Sequence, residues 1–493
     1  MQYKTPEECG LSSKNIIKYI KKLEERELSN HSLIMARGDN IIFEGYWDPV
    51  DENFLHRQYS TTKSFTSIAI GFLEQDGLIC LDDPIFKYFP EESKNQTDEY
   101  MKTQTIRDML KMSTAKFEHI WWFGAEIHDR LQSYFDNDRK DSRPPSTIYN
   151  YDSQGSFVLG ALVEKVTNMT MTDYLYKKLF RKIGVGDGVH MLKCPGGHSW
   201  ADSALLCTAM DLFKVARFVL NKGKWNGEQI LNEEYLIEAT KKQIDNNMIG
   251  RNTFDSQGYG YQIWKTYHAG FFFNGAACQF AICMPQKDFM MVYNADNFGK
   301  ATAKEDVFNN FFDIIYDNIA DEPLPCDEEA QAELERLKNS LTLNIAKGDK
   351  TTDFSKKING AKFILGENKM GISEFTLKFE EDEGEFQYVN AQGHKTIKFG
   401  MGKNVFDFFP EEGYSDEVGT EKTKDFYYKY GASAAWTEEK RLFIKLHIID
   451  RYLGNSNITI SFKDEDNVGV YMESHAEAFL TEYSGIAGGK RAK

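Results

Sequence analysis

"HRQYSTTKSFTSIAIGFLEQDGL", residues 56–78, decides how this chain is read. Ser60 and Lys63 stand three residues apart near its start. Behind them Phe65, Ile68, Ala69, Phe72 and Leu73 recur at helical spacing, and Gly77 closes the run. The pattern predicts a helix from Ser60 to Gln75, with Ser60 at its N-terminus and Lys63 one turn on, on the same side. A helix start offers unpaired N–H groups and the positive end of the helix dipole. Both stabilise a serine alkoxide and the oxyanion that its attack creates, so the stretch reads as a nucleophile with its own base. A serine that merely caps a helix produces the same local pattern.

Nothing local decides between the two readings, but a second Ser-x-x-Lys, Ser113–Lys116 in "MSTAKF", stands in a different context. It follows "TIRDMLKM", itself a predicted helix, and no comparable apolar pattern comes after it. Ser113 therefore reads as an ordinary residue at a helix end.

The 493 residues exceed one ordinary core and predict two or three domains. Hydrophobic residues make up 41% and charged residues 27%, a globular balance. The net charge of −16 repels phosphate backbones and anionic lipid, so neither nucleic acid nor a membrane surface is an expected partner. The seven cysteines form no CxxC pair and no spacing that suits zinc, and read as reduced thiols. "MQYKTPEECGLSSKN" lacks the basic and apolar runs of a signal peptide, and no segment is apolar for 18 residues, so a cytoplasmic location is expected.

Further helices are expected over residues 12–26, "SQGSFVLGALVEKVTN", "MTDYLYKKLFRKI", "TAMDLFKVARFVLNKG" and "VFNNFFDIIYDNI". "GYGYQIWK", "FFFNGAACQFAICMP" and "DFMMVYNAD" read as three strands in series. The texture changes after Asp321. A proline-marked exit and a polar helix lead into short alternating strands: "AKFILGE", "ISEFTLKFE", "GEFQYVN", "HKTIKFG", "KRLFIKLHII", "NITISFK" and "VGVYMES". They predict an antiparallel barrel or sandwich. The expected organisation is a catalytic domain over 1–322, a linker with a helix over 323–356 and a β domain over 357–486. The tail "AGGKRAK" (487–493) is expected to be disordered.

"HSLIMARGDNIIFEGYWDP", "YSTTKSFTSIAIGFLEQDGLICLDDPIFKYFPE" and "TIRDMLKMSTA" resemble, in order and spacing, the serine beta-lactamase and penicillin-binding-protein superfamily. The resemblance continues through "YNYDSQGSFVLGALVEKVTNMT", "ALLCTAMDLFKVARFVLNKGKWNGEQIL", "GYGYQIW" and "NGAACQFAICMPQKDFMMV", covering residues 5–318. Its nearest branch is the class C-like set of esterases, D-amino peptidases and 6-aminohexanoate-dimer hydrolases. The resemblance implies an α+β fold, an antiparallel sheet flanked by helices with a helical subdomain, here joined to the C-terminal all-β domain.

The resemblance also implies site residues. The second family motif, Tyr-x-Asn or Tyr-x-Ser before a helix, falls on Tyr151-Asp152-Ser153, with Tyr151 relaying a proton and Ser153 bridging by hydrogen bonds. Tyr149, two residues earlier, lacks a Ser or Asn two positions on. The third motif departs from the family pattern and has two candidates, His268-Ala269-Gly270 and Asn274-Gly275-Ala276. On the second placement the Ala276 and Ser60 N–H groups form an oxyanion hole, Asn274 and Gly275 line the substrate, and Cys278 stands where a glycine is usual. Neither candidate supplies the lysine that grips a beta-lactam carboxylate. Trp121 and Trp122, in "HIWWFG", are candidates for an acyl pocket, with core packing the competing reading.

The reading is a serine hydrolase of small esters, amides or peptides, working through an acyl-enzyme on Ser60 with Lys63 as base. No cofactor or metal is implied. A D-amino-acid peptidase or beta-lactamase is the rival within hydrolases, and a catalytically silent binding protein on the same fold is the rival outside them.

Overall fold

The computed structural model describes residues 1–116, 127–136, 142–416, 422–477 and 479–493. They form two compact units. The first is built mainly from Met1–Ala295 and Thr302–Thr342. The second is built mainly from Leu343–Ser415 and residues 422–493, together with Asp296–Ala301.

The first unit centres on a seven-stranded sheet. Its strands are β1 (Gln2–Tyr3), β2 (Asn30–Arg37), β3 (Asn40–Tyr46), β4 (Trp264–Lys265), β5 (Phe271–Gly275), β6 (Gln279–Met284) and β7 (Phe289–Ala295), in the order β1-β3-β2-β7-β6-β5-β4. All neighbours are antiparallel except β1 and β3. Every residue of β7 is buried, as expected of a central strand covered on both faces. The helices used below are α1 (Ser13–Glu25), α2 (Thr62–Gln75), α3 (Ile106–Leu110), α4 (Arg130–Phe135), α5 (Ser153–Thr167), α6 (Ala209–Leu220) and α7 (Ala303–Asn310). α6 lies against β2, β6 and β7, where Cys283 Sγ reaches the Ala216 carbonyl. On the opposite face Phe308 of α7 meets Phe272 and Phe280 edge-on, at 4.9 and 5.2 Å. Among the described residues no helix is long and apolar enough to cross a membrane.

Two expectations are corrected here. "FFFNGAACQFAICMP" is not one strand but the β5–β6 hairpin, in register Gly275↔Gln279. Ala277 and Cys278 take φ of 57° and 74°, which turns the chain back. Asn274-Gly275, an Asn-Gly step beside the turn, was the available signal. "GYGYQIWK" contributes only Trp264–Lys265 as strand.

The second unit is a barrel. Its strands are β8 (Lys362–Leu365), β9 (Glu374–Glu380), β10 (Glu383–Asn390), β11 (Gly393–Met401), β12 (Val405–Tyr414), β13 (Lys422–Glu438), β14 (Arg441–Ile449), β15 (Leu453–Phe462), β16 (Asn467–Ala476) and β17 (Gly485–Arg491). The order β11-β10-β9-β8-β17-β16-β15-β14-β13 closes on itself through parallel pairing of Gly400 and Met401 with Ser433 and Ala434. The result is a closed nine-stranded barrel, with β12 paired outside the ring to β13. Alternate residues fill the interior: Leu442, Ile444, Leu446 and Ile448 from β14, Phe386 and Tyr388 from β10, Trp436 from β13.

The tail is a further correction. Gly485–Arg491 is a strand, hydrogen-bonded to β8 on one side and β16 on the other. It carries almost no apolar pattern, and Ile486 is 74% exposed. The backbone decides it: β8 and β16 each have a free edge, and the glycines let β17 fit between them. A Cβ on Gly489 would stand 2.6 Å from Leu365.

Candidate active site

Ser60 sits where a short strand turns into a buried helix. His56–Arg57 pairs with Leu205–Cys207, the chain turns through Tyr59–Thr61, and α2 begins at Thr62. Tyr59 has φ 45°, a left-handed conformation uncommon for a bulky residue. It is held there by burial and by the Arg57 guanidinium, which lies 4.5 Å from its ring centroid and 4.4 Å from that of Trp200. Asp76 ends the helix and Gly77 leaves it at φ 69°.

Lys63 lies one turn on and is buried. Its Nζ donates to Ser60 Oγ at 2.9 Å and to the Asp202 carbonyl at 2.7 Å, and lies 5.1 Å from the Tyr151 ring centroid. The Asp202 contact belongs to a loop that turns three successive carbonyls toward the strand-to-helix segment carrying Ser60. Ala201 accepts from Thr66 Oγ1 at 2.6 Å, Asp202 from Lys63, and Ser203 from Arg57 Nε at 3.2 Å. Leu205 N–H donates to Thr62 Oγ1. The Asp202 carboxylate is paired with Arg130 of α4 at 2.7 and 3.2 Å, with both side chains essentially inaccessible. No local pattern in "SWADSALL" marks Asp202, and Arg130 carries no signal either.

Tyr151 comes from the segment ahead of α5. Its ring lies 5.7 Å from that of Trp264 on the edge strand β4. Asp152 caps α5 by accepting from Gly155 N–H at 2.8 Å and is pinned by Thr114 Oγ1 at 2.9 Å. Ser153 opens the helix and is buried; its hydroxyl makes no hydrogen bond among the described residues. Tyr149 meets the same Trp264 ring at 6.3 Å, edge-on. Its ring packs 5.3 Å from Tyr259, its hydroxyl is buried without a partner among the described residues, and burial holds that phenol well above its ordinary pKa.

The third-motif candidates stand at opposite ends of β5. Gly275 packs on the turn that carries Ser60: a Cβ there would lie 2.3 Å from the Gln58 carbonyl oxygen and 3.0 Å from Thr61 Oγ1. Thr61 Oγ1 in turn donates to the Gln279 carbonyl at 3.1 Å. Asn274 is half-buried and Ala276 exposed at the hairpin turn; no backbone group takes the Ala276 N–H among the described residues. The Gln279 side chain braces this turn, donating to the carbonyls of Ala276 at 3.0 Å and Ala295 at 2.7 Å. His268, by contrast, is in the β4–β5 turn, against Tyr316 at 4.6 Å. Lys265 of β4 pairs with Phe271, at that same far end. Its Nζ donates to the carbonyls of Thr240 and Ala269, and burial lowers it to about 8.

Ser113 and Lys116 belong to the scaffold. Ser113 is buried with its hydroxyl directed at the Asp108 carbonyl, and Lys116 donates to the Tyr134 carbonyl. Trp121 and Trp122 lie outside the described residues.

The family model described as Beta-lactamase matches residues 16–309, more than half of the chain. The chain belongs to the Beta-lactamase family. It is 22% identical over 263 residues to the 6-aminohexanoate-dimer hydrolase of Paenarthrobacter ureafaciens, covering 50% of this chain and 67% of that protein. It is 22% identical over 189 residues to a penicillin-binding protein of Bacillus subtilis (strain 168), covering 34% of this chain and 39% of that one. A solved structure from Bacillus anthracis, assigned as a 6-aminohexanoate-dimer hydrolase, superimposes with a TM-score of 0.52 at 18% identity. It covers 62% of this chain and 83% of its own. At that identity the likeness speaks for the fold. The resemblance read from the sequence, to the beta-lactamase and penicillin-binding-protein superfamily, is thus borne out, and so is an α+β family fold joined to a β-barrel.

Proposed function

We propose that this family member is a serine hydrolase that cleaves a small ester or amide through an acyl-enzyme on Ser60. The observation that carries the reading is the 2.9 Å contact between Lys63 Nζ and Ser60 Oγ at the start of a buried helix. Lys63 takes the Ser60 proton, with Tyr151 beside it as relay. Ser60 attacks the carbonyl carbon, and the N–H groups of Ser60 and Ala276 hold the oxyanion. Tyr151 or Lys63 returns a proton to the departing alcohol or amine. Water then attacks the acyl-enzyme by the same route and releases the acid. Asn274 and Gly275 line the substrate on the β5 side, and Ser153 of the second motif offers its hydroxyl as a bridging hydrogen-bond group.

The named relative that cleaves a 6-aminohexanoate dimer supports an amide among the substrates. A beta-lactam is disfavoured because β5 carries no lysine for the carboxylate, and Lys265 is placed at its far end. Nitrocefin should turn over poorly; hydrolysis at the rate of a dedicated beta-lactamase would reverse that preference. The reading as a whole is tested with a fluorophosphonate probe. Labelling on Ser60, lost in Ser60→Ala, is the expected result. An intact, folded protein that takes no label would point to a silent binding protein instead.

A further inference from the structure

We infer that the Arg130–Asp202 ion pair is a positioning device for Lys63, so that Arg130, which touches neither Ser60 nor Lys63, sets the rate of chemistry at Ser60. The inference rests on the acyl-enzyme reading above.

Burial of this pair is costly. Both charges are wholly buried, with side-chain exposures of 1% and 0%. Taking an arginine and a carboxylate out of water is expensive, and an apolar pair of similar size often serves stability equally well. The pair therefore calls for a reason in geometry. Asp202 supplies one. Its carbonyl oxygen holds Lys63 Nζ at 2.7 Å while its carboxylate is gripped by both prongs of Arg130, at 2.7 and 3.2 Å. A fork that binds two oxygens fixes the orientation of the carboxylate as well as its distance. The Asp202 carboxyl carbon is two bonds from the Cα beside that carbonyl, so clamping one restricts the other.

Arg130 is itself fixed from three sides. Its guanidinium lies 4.5 Å from the ring centroid of Phe157 in α5, the helix that opens at Ser153. It donates to Cys194 Sγ at 3.3 Å, and its backbone N–H donates to the Pro195 carbonyl. Arg130 thus connects the helix behind the second motif to the loop that holds the base. Among the described residues Lys63 has two hydrogen-bond partners, Ser60 Oγ and the Asp202 carbonyl. If the second turns away, the ammonium is no longer confined to the direction that serves Ser60. A displacement of about 1 Å at a reacting group costs on the order of 10²-fold in rate. It costs little in binding, because Lys63 holds the nucleophile and not the substrate.

The test replaces the whole pair in the full-length chain, Arg130→Met together with Asp202→Leu, so that no lone charge is left inside. Thermal melting reports the fold. Fluorophosphonate labelling of Ser60 reports its reactivity, and p-nitrophenyl butyrate hydrolysis gives kcat and KM. The expected result is a folded protein whose labelling rate and kcat fall about 10- to 100-fold with KM changed less than about threefold. A folded double variant with wild-type kcat, or one slowed only through KM, overturns the inference. If the double variant does not fold, Arg130→Lys takes its place, since it keeps the charge and loses the fork. A folded Arg130→Lys with wild-type kcat overturns the inference, and a kcat loss at constant KM upholds it. If neither variant folds, the pair is a folding element and the inference falls. A wild type unlabelled at Ser60, or a Lys63→Ala variant labelled at the wild-type rate, would instead sink the acyl-enzyme reading itself.

Discussion

Two segments of the first unit carry the same four-residue motif and came to different ends. At Ser60–Lys63 the lysine, in the first turn of α2, extends back to the helical turn that carries the serine, and its Nζ meets the serine Oγ. At Ser113–Lys116 the serine follows α3 and the two side chains part, Ser113 toward the Asp108 carbonyl and Lys116 toward the Tyr134 carbonyl. Both lysines are buried and both serines are near helix ends. What separates them is helix phase. Residues three apart share a face only when the chain between them is helical. The second motif still matters to the first, because Thr114, within it, pins the Asp152 cap behind Tyr151.

The sharpest way to break this comparison is to exchange the serines' fates. Ser60→Ala should reduce p-nitrophenyl butyrate hydrolysis to background, while Ser113→Ala keeps the wild-type rate. A dead Ser113→Ala beside an active Ser60→Ala would invert the assignment. Lys63→Arg comes next. Arginine keeps the charge but does not give up its proton, so the variant should fold and be nearly inactive. Retention of most of the wild-type rate would remove Lys63 as the base.

The two tyrosines extend the comparison. Tyr151→Phe should lose roughly 10²–10⁴-fold in kcat/KM, the usual share of a proton-transfer group. Tyr149→Phe should leave the rate unchanged and the protein at least as stable. The hydroxyl that it removes is buried without a partner among the described residues, and such a group costs about 1–3 kcal/mol. Equal rate losses in the two variants would show that the phenol over Lys63 is not special.

A smaller effect concerns acid. His56, four residues before Ser60, is wholly buried, and burial depresses it from 6.5 to about 4. Between those values the unfolded chain binds a proton that the folded chain refuses. Stability is then fully present above pH 6.5 and is lost as pH falls toward 4, by on the order of 3 kcal/mol from this group. His447 in the second unit is depressed to about 4 as well, by burial first, and adds a loss of the same sign. Asp296, raised by burial to about 7, works the other way between 7 and 3.8. Urea unfolding at pH 7 and pH 4.5, monitored by signals from each unit, should show the first unit losing more in wild type than in His56→Gln. Identical pH slopes would exclude His56 as the cause.

The first unit was more legible than the second because its helices carry 3.6-residue patterns with caps. Ser12 and Thr208 accept at the starts of α1 and α6, and Gly77 and Gly184 leave their helices in the left-handed region. In the second unit the pattern named seven strands of the ten described. β12 is interrupted by Pro410 and irregular pairing between Phe408 and Glu412. β13 presents Tyr428, Tyr430, Ala432 and Ala434 inward, where tyrosine and alanine do not announce a core. β17 is glycine-rich and has no face of its own.

The sequence by itself determined that Ser60 and Lys63 would meet, because a three-residue separation on a helix is a local geometric fact that no tertiary contact has to supply. It also determined the order of the family's segments, which is written along the chain. Tertiary structure alone decided the rest of the site. The Asp202 carbonyl that holds Lys63 is 139 residues away in sequence, and Gly275 reaches the Ser60 turn only because β5 lies beside β6 in the sheet. These contacts depend on which surfaces pack together, and packing is shared among residues far apart, so no local stretch of the chain records it.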